Sequence, residues 1–188
     1  WPNDPVAFVT RHRIREVQIS FDGDREHHEK YRAHRIPSET SSFDDAVRVV
    51  DALHSVCKVS IRLNLDRTTA QSADSFILLA RARGWFSPPS RAVLQPARLA
   101  AFTDRSEFMT KWQFSVTEFE NVKQRIRASL GDAGRIEEAE TIDGFPRPRT
   151  SVCAALGNAS FVLGADRCEY RCGLQVGERD RSMGPLEQ

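Results

Sequence analysis

Two stretches of the chain alternate apolar and polar residues. In 17–22 and in 59–65 every odd-numbered residue is apolar and every even-numbered residue is polar or charged. A period of two is typical of strands whose two faces have different surroundings. Because a stretch with helical spacing separates them, we predict that they are parallel neighbours in a βαβ unit. Their polar faces would line one shared surface, and α/β barrels bind ligands where the strands of such a surface end.

Helical spacing of apolar residues, and one more strand pattern, extend the prediction to an α/β fold with about three parallel βα units. We expect helices at 43–55, 72–83 and 115–130 and a third strand at 92–95. Ser42 with Asp45, and Ser115 with Glu118, have the spacing of capping boxes that begin helices. Pro96 lacks a backbone donor and is expected to end the third strand.

The charged stretch 24–35 is predicted to be a loop. It contains His27 and His28 beside acidic residues, an arrangement that suggests a metal site. Adjacent residues in a loop rarely point at one ion, however. We therefore expect both histidines to be solvated or to pack within the loop.

Composition excludes some classes of protein. The chain has 188 residues and a net charge of +1, from 27 basic and 26 acidic residues. This balance argues against a protein that holds nucleic acid by bulk electrostatics. No apolar run approaches the roughly 20 residues of a membrane span, and the start has no signal-peptide pattern. We therefore expect a cytoplasmic protein. The chain begins with Trp1 and enters a strand soon afterwards, so we expect it to start inside a larger protein.

Three of the four cysteines, Cys153, Cys168 and Cys172, lie close together near the carboxyl terminus. In a chain without secretion signals, this clustering favours metal or cluster ligation over a disulfide framework. Buried free thiols are the alternative, and zinc competes with iron because three thiolates and one further ligand suit it. Cys57 follows the first predicted helix and is expected in the core.

The amino-acid sequence of the predicted strands and helices resembles that of a known family. The sequences VQISFDGDREHHEKYR, SSFDDAVRVVDAL and VSIRLNLDR resemble the fourth and fifth βα units of radical S-adenosylmethionine (SAM) enzymes. The resemblance spans roughly Arg13 to Cys172 and is greatest to members with a SPASM or twitch cysteine extension. It implies reductive cleavage of SAM and hydrogen-atom abstraction from a peptide or protein substrate. The CxxxCxxC motif that ligates the radical-generating 4Fe–4S cluster is absent from this sequence.

The resemblance implies a division of the chain into parts. Residues 1–130 would form the C-terminal part of a (β/α) barrel, 131–151 a linker and 152–188 an incomplete cysteine-bearing β-hairpin. Three strands cannot close a barrel, and open sheet edges are hazards unless something covers them. The missing N-terminal barrel segment or a partner protein would therefore cover the open edge.

Six residues are candidates for binding SAM. The resemblance implies Ser20 and, with it, Arg32, Asn64 and Gln95. The chemistry of the polar faces adds that Ser20 and Asp22 can bind hydroxyl or amine groups. Arg62 or Arg32 can pair with the methionyl carboxylate. Two alternatives remain open: Arg62 forms an ion pair with Asp22, or Asp22 and the following glycine form a simple turn.

The cysteine block resembles the start of the SPASM/twitch pattern. Its alignment makes Cys153 and Cys172 ligands, places Arg167 where a turn glycine is usual and leaves Cys168 as an extra cysteine. We expect strands at 160–163 and 168–171 to bring Cys153 and Cys172 together across a hairpin. An auxiliary 4Fe–4S cluster takes four thiolates, so this chain alone is not expected to hold one stably.

Two other functions remain open. The first is a non-catalytic, degenerate half-barrel that binds a peptide or protein partner. The second is a zinc-stabilised α/β domain of another family.

Overall fold

A three-stranded parallel sheet organises the first part of the molecule. The computed structural model describes residues 3–34, 38–101, 104–131, 136, 141–142, 145–146, 161–164 and 166–185. The strands are β1 (Glu16–Phe21), β2 (Lys58–Leu65) and β3 (Ala92–Arg98), in the order β1-β2-β3. Both pairs are parallel, and Ser20 lies opposite Arg62, which in turn lies opposite Gln95. The predicted α/β fold with parallel neighbouring strands is confirmed.

Five α-helices accompany the sheet in the described part of the chain. They are α1 (Pro5–Arg11), α2 (Arg25–Arg32), α3 (Ser42–Leu53), α4 (Ala73–Ala82) and α5 (Val116–Leu130). Two 3-10 stretches, Ala70–Ser72 and Asp104–Trp112, precede α4 and α5. The odd-numbered residues of β1 and β2 are buried in one core cluster with apolar residues of α3, α4 and α5. Cys57 is buried in the same cluster, as predicted.

The segment that the sequence predicts to be a loop contains a helix, α2, so this prediction is wrong. Asp24 caps its first turn by accepting the backbone N–H of His27 at 3.3 Å. The mean hydropathy of α2 is low, yet one of its residues, His28, is buried and only 2% exposed. The ring centroids of Phe21 and Phe43 lie 5.6 and 5.5 Å from that of His28. One buried ring and several polar contacts, among them the hydrogen bond from the Phe43 N–H to Glu29 at 2.7 Å, thus attach a polar helix that apolar periodicity does not reveal.

Two boundaries also differ from the prediction. Strand β3 continues through Pro96 to Arg98, and Pro96 lies opposite Leu63 in the register. An edge strand tolerates proline where the missing N–H would face away from its neighbour. At α3 the capping residue is Ser41, which accepts the N–H of Asp44 at 3.0 Å, one position before the predicted Ser42. The capping box of Ser115 and Glu118 is confirmed.

A second compact unit comprises residues 102–105 and 139–188. Its described strands are β4 (Thr141–Ile142), β5 (Phe145–Pro146), β6 (Val162–Leu163), β7 (Cys168–Tyr170) and β8 (Gly184–Pro185). All of their pairings are antiparallel. Tyr170 is fully buried, and its hydroxyl donates to Asp166 at 2.6 Å. Arg167, at the expected turn between β6 and β7, has a left-handed φ of 60°.

Within the part of the chain that the structure describes, no helix is both long enough and apolar enough to cross a membrane.

Candidate functional site

The segments that follow the three parallel strands surround one cleft of about 320 Å³. Asp22 follows β1, Asp66 follows β2 and Leu99 follows β3. The other lining residues are Tyr31 and Arg32 of α2 and Phe108, Met109 and Trp112 of the 3-10 stretch before α5. We call this space the carboxyl-edge cleft. Its position is where α/β sheets usually bind ligands.

A chain of polar contacts crosses the sheet beside the cleft. The Nε–H of Arg62 donates to Asn64 Oδ1 at 3.1 Å, and Asn64 Nδ2 donates to Asp22 Oδ1 at 2.8 Å. The second oxygen of Asp22 accepts the Nε–H of Arg32. Asp22 and Asn64 are both buried, whereas Arg62 is half-buried and Arg32 is more exposed. Burial makes these hydrogen bonds a rigid arrangement, because leaving either buried group unpaired is costly.

This arrangement decides between the alternatives that the sequence left open. Asp22 pairs with Arg32, whereas Arg62 contacts Asn64, so the alternative in which Arg62 forms an ion pair with Asp22 does not hold. The reason is that α2, which the sequence did not predict, brings Arg32 over the end of β1. Asp22 therefore does more than precede a turn, because both of its oxygens are engaged.

The remaining predicted residues lie on the same face of the sheet. Ser20, Arg62 and Gln95 form one row across the three strands, and Ser20 is half-buried. Gln95 accepts a hydrogen bond from Gln18 Nε2 at 2.9 Å. The structure thus places all six candidates on one polar face or at its carboxyl edge. Whether they bind SAM is a separate question and stays a prediction.

The buried His28 contacts the backbone of Asp22 and so helps to position this site residue. The backbone N–H of Asp22 lies 3.4 Å from His28 Nδ1, which accepts it in the neutral imidazole. Burial lowers the pKa of His28, and the nearby Arg32 adds to this effect, while Asp22 and Glu29 oppose it. A neutral His28 therefore suits both its apolar surroundings and the turn that carries Asp22.

Asp66 is a site residue that the sequence reasoning missed. Its Oδ1 accepts the N–H groups of Thr68 and Thr69 at 2.8 and 2.9 Å, and both of their hydroxyls. Oδ2 accepts no hydrogen bond from any described residue, although Asp66 is only 7% exposed. The D-x-T-T spacing directly after a strand is typical of an aspartate that caps the next turn, and it offered a signal for this residue.

Aromatic side chains form the opposite wall of the cleft. Trp112 accepts the backbone N–H of Arg67 on its carbonyl at 2.9 Å, which holds the 3-10 stretch against the end of β2. Lys111 Nζ lies 4.0 Å from the ring centroid of Trp112, and the hydroxyl of Tyr31 lies 3.2 Å from that of Thr68. These aromatic residues carry no pattern in the sequence, because they come together only when the loops fold.

The cysteines give no comparable site among the described residues. Cys168 begins β7 and Cys172 lies just beyond it, both half-buried, whereas Cys153 lies outside the described residues. No group of three or more His, Cys, Asp or Glu side chains that could hold a metal occurs in the described ranges. Burial raises the pKa of Cys57, in keeping with a neutral core thiol. The described residues therefore do not fit a cluster that needs four thiolates.

Comparison of the chain with models of known protein families, with curated proteins and with solved structures gave no match. The resemblance to radical SAM enzymes consequently rests on the residues named above.

Proposed function

We propose that the carboxyl edge of the sheet binds SAM, and that the chain is the C-terminal part of a radical SAM/SPASM-type enzyme. Its substrate would be a peptide or protein, modified by hydrogen-atom abstraction in the cytoplasm. In this proposal the three βα units belong to a (β/α) barrel, and the missing units or a partner pair with the outer edge of β1. The observation that carries it is the row of contacts from Arg62 through Asn64 and Asp22 to Arg32 beside the cleft.

The two arginines suit the methionyl carboxylate of SAM. Each arginine uses its Nε–H in the contacts to Asn64 or Asp22, and among the described residues its terminal nitrogens donate to no acceptor. A guanidinium fork binds a carboxylate through two parallel hydrogen bonds, which gives orientation as well as affinity. The Nε contacts to Asn64 and Asp22 hold both forks in place before the ligand arrives.

The cleft suits the rest of the molecule. Its walls include Tyr31, Phe108 and Trp112, which can stack on a planar base. Ser20 is half-buried, and its hydroxyl, which bonds to no described residue, can donate to a ribose hydroxyl. The free oxygen of Asp66 can accept from a hydroxyl or amino group at the other side. A concave, mostly apolar space with a few placed polar groups is typical of small-molecule sites.

When SAM is bound, its reductive cleavage supplies the carbon radical in the resembled family. This chain's own part would be to bind and orient SAM: the arginines at the carboxylate, Ser20 at the sugar and the aromatic wall excluding water from the base. The sequence has no CxxxCxxC, so no step at the radical-generating cluster is assigned to its residues.

Calorimetric titration of the intact protein with SAM tests the proposal. Ser20→Ala and Asn64→Ala should each lose roughly 0.5–1.5 kcal/mol of binding free energy, about the contribution of one hydrogen bond. Asn121→Ala is the matched control, because Asn121 is exposed on α5 and away from the cleft. Ser20→Ala keeps the test valid if loss of the buried Asn64 amide impairs folding. Unchanged affinity in both variants would exclude this site.

A second candidate is a non-catalytic half-barrel that binds a peptide or protein on the same face. The exposed Gln18 and the half-buried Ser20, Arg62 and Gln95 favour it, because they leave a polar surface open beside an edge strand. A lack of SAM binding by the intact protein, together with faster backbone amide exchange in β1 when a co-purifying partner is removed, would favour this candidate.

A further inference from the structure

A second pocket, of about 490 Å³, lies at the amino ends of the same three strands. Arg15 precedes β1, Cys57 precedes β2 and Arg91 precedes β3, and all three line it. Arg13, just after α1, is the third arginine of the lining. The other lining residues are Val9, Thr10, Ile14 and Val56. We call this space the amino-end pocket.

The three arginines of this pocket lack the acidic partners that other arginines of the chain have. Arg25 and Arg83 each form an ion pair with an aspartate. No carboxylate of a described residue lies within ion-pair distance of the three pocket arginines. The neighbouring Glu16 is engaged by Lys58, whose Nζ lies 3.2 Å away. Among the described residues, the guanidinium of Arg91 donates only to the carbonyl of Val56, at 3.4 Å. The net charge of the chain is only +1, so this cluster is a local feature.

Arg13 also has an unfavourable backbone conformation. Its φ is 52°, and its N–H donates to Thr10 O at 3.2 Å while that of Ile14 donates to Val9 O at 2.9 Å. These two bonds define the Schellman motif, in which the left-handed position is usually glycine. A residue with a Cβ is strained there. An arginine at a glycine position suggests that its side chain has a use that offsets this strain.

The lining below the arginines is apolar. Val9 and Cys57 are buried, and Ile14 is half-buried. Burial raises the pKa of Cys57, so the thiol contributes no negative charge to oppose an anion. The pocket therefore offers guanidinium groups at its rim and an apolar floor.

We infer that the amino-end pocket binds a small oxyanionic ligand that carries phosphoryl or carboxylate groups. Guanidinium forks match the oxygen geometry of both groups, and several of them together favour a multivalent anion. The apolar floor would contact the non-ionic body of the ligand. This site lies at the opposite end of the strands from the carboxyl-edge cleft and does not depend on SAM binding.

Arg13→Gly is the decisive variant, because it removes the guanidinium that would bind the anion and also relieves the strained backbone. The first change should weaken binding, whereas the second should not lower stability. Calorimetric titration of the full chain with pyrophosphate should show at least fivefold weaker binding in Arg13→Gly and in Arg91→Gln. The thermal midpoint of Arg13→Gly should remain equal to or exceed that of the unmodified chain, since glycine relieves the left-handed strain. Arg48→Gln is the charge-matched control, because Arg48 lies on α3 outside the pocket and should bind as the unmodified chain does.

Parallel titrations with inorganic phosphate and with citrate identify the group that is recognised. Tighter binding of pyrophosphate assigns the pocket to phosphoryl ligands, and tighter binding of citrate assigns it to carboxylates. Binding that is unchanged in both pocket variants overturns the inference. So does a loss as large in Arg48→Gln, because the effect would then be one of overall charge. SAM binding that persists in Arg13→Gly separates this site from the carboxyl-edge cleft.

Discussion

The turn after β1 requires a glycine for two separate reasons, its backbone conformation and the lack of space for a side chain. Gly23 has a φ of +88°, and a Cβ placed there would clash with Ser72 Oγ. That hydroxyl is already engaged, since it accepts the N–H of Asp24 at 3.2 Å and donates to Thr69 O at 2.7 Å. The turn that carries Asp22 is therefore packed against the start of α4, with no space for a side chain.

We predict that Gly23→Ala lowers the free energy of unfolding by roughly 2–4 kcal/mol, combining a left-handed alanine with overpacking. Gly84→Ala is the matched control: Gly84 has a φ of +72°, but a Cβ there meets nothing within 4 Å. Gly84→Ala should lower the free energy of unfolding only by the cost of the left-handed conformation, roughly 1–2 kcal/mol. Urea unfolding of both variants measures the difference, and equal losses would show that the contact with Ser72 is unimportant.

His28 should make stability depend on pH. Burial lowers its pKa in the folded protein, whereas the unfolded chain titrates near the ordinary value of about 6.5. Below that value the unfolded state binds the extra proton and the folded state does not, so stability falls as the pH falls. The fall ends once the pH reaches the folded pKa. Above about pH 7.5 the residue should have no effect.

Urea unfolding at pH 7.5 and at pH 5.5 measures this contribution, whose slope cannot exceed about 1.4 kcal/mol per pH unit. His28→Phe keeps an aromatic ring between Phe21 and Phe43 but removes the titration, so its stability should change less between the two pH values. His12→Gln, at an exposed position, is the control for the replacement of a histidine. An identical slope in His28→Phe would contradict the prediction.

At the scale of elements, the sequence predicts whatever depends on a repeated pattern. The alternation in β1 and β2 predicted the parity of Ser20, Arg62 and Asn64, because the apolar face of each strand lies in the core, and the helical stretch between the strands predicted their parallel pairing. The helices α3, α4 and α5 followed from their apolar spacing to within a few residues. Register was constrained for the same reason, since a slip by one residue would move every apolar side chain to the wrong face.

The sequence does not predict an element whose tertiary contacts are mostly polar and follow no repeated pattern. Helix α2 has one buried residue, His28, and no apolar stripe, so its charged composition suggests a loop. The failure to predict α2 also affected the site. Arg32 lies on α2 and forms the ion pair with Asp22 that the sequence had offered to Arg62 as an alternative. Asp66 and Trp112 enter the cleft from loops whose course no periodicity describes. The polar face of the strands was therefore visible as a pattern, whereas most residues that line the cleft come together only on folding.

At the scale of the whole molecule, the parallel sheet places two unlike pockets at its two ends. The carboxyl end has buried carboxylates and aromatic rings, and the amino end has arginines with no acidic partner among the described residues. The direction of parallel strands explains this separation, because residues just before the strands and residues just after them collect at opposite edges. One small sheet can therefore present two surfaces of different charge.

Among the described residues, the core cluster that packs on this sheet belongs to the first compact unit. All buried residues of the main core cluster fall between Val9 and Leu130, and Ile136 packs against it from just beyond α5. The described residues among 139–188, which belong to the second unit, contribute no member to that cluster. We therefore expect the sheet to fold without residues 139–188.

We predict that a chain ending at Glu138 unfolds cooperatively in urea with the same midpoint as the full chain, followed by far-UV circular dichroism. A chain ending at Gln113 is the control. It lacks α5 and with it Val122, Ile126 and Leu130, which are at most 9% exposed. Removing three buried side chains of this size costs on the order of several kcal/mol, comparable to the whole stability of a domain. The shorter chain should therefore show no cooperative transition. A lower midpoint for the chain ending at Glu138 would mean that the second unit stabilises the sheet through contacts outside the core cluster.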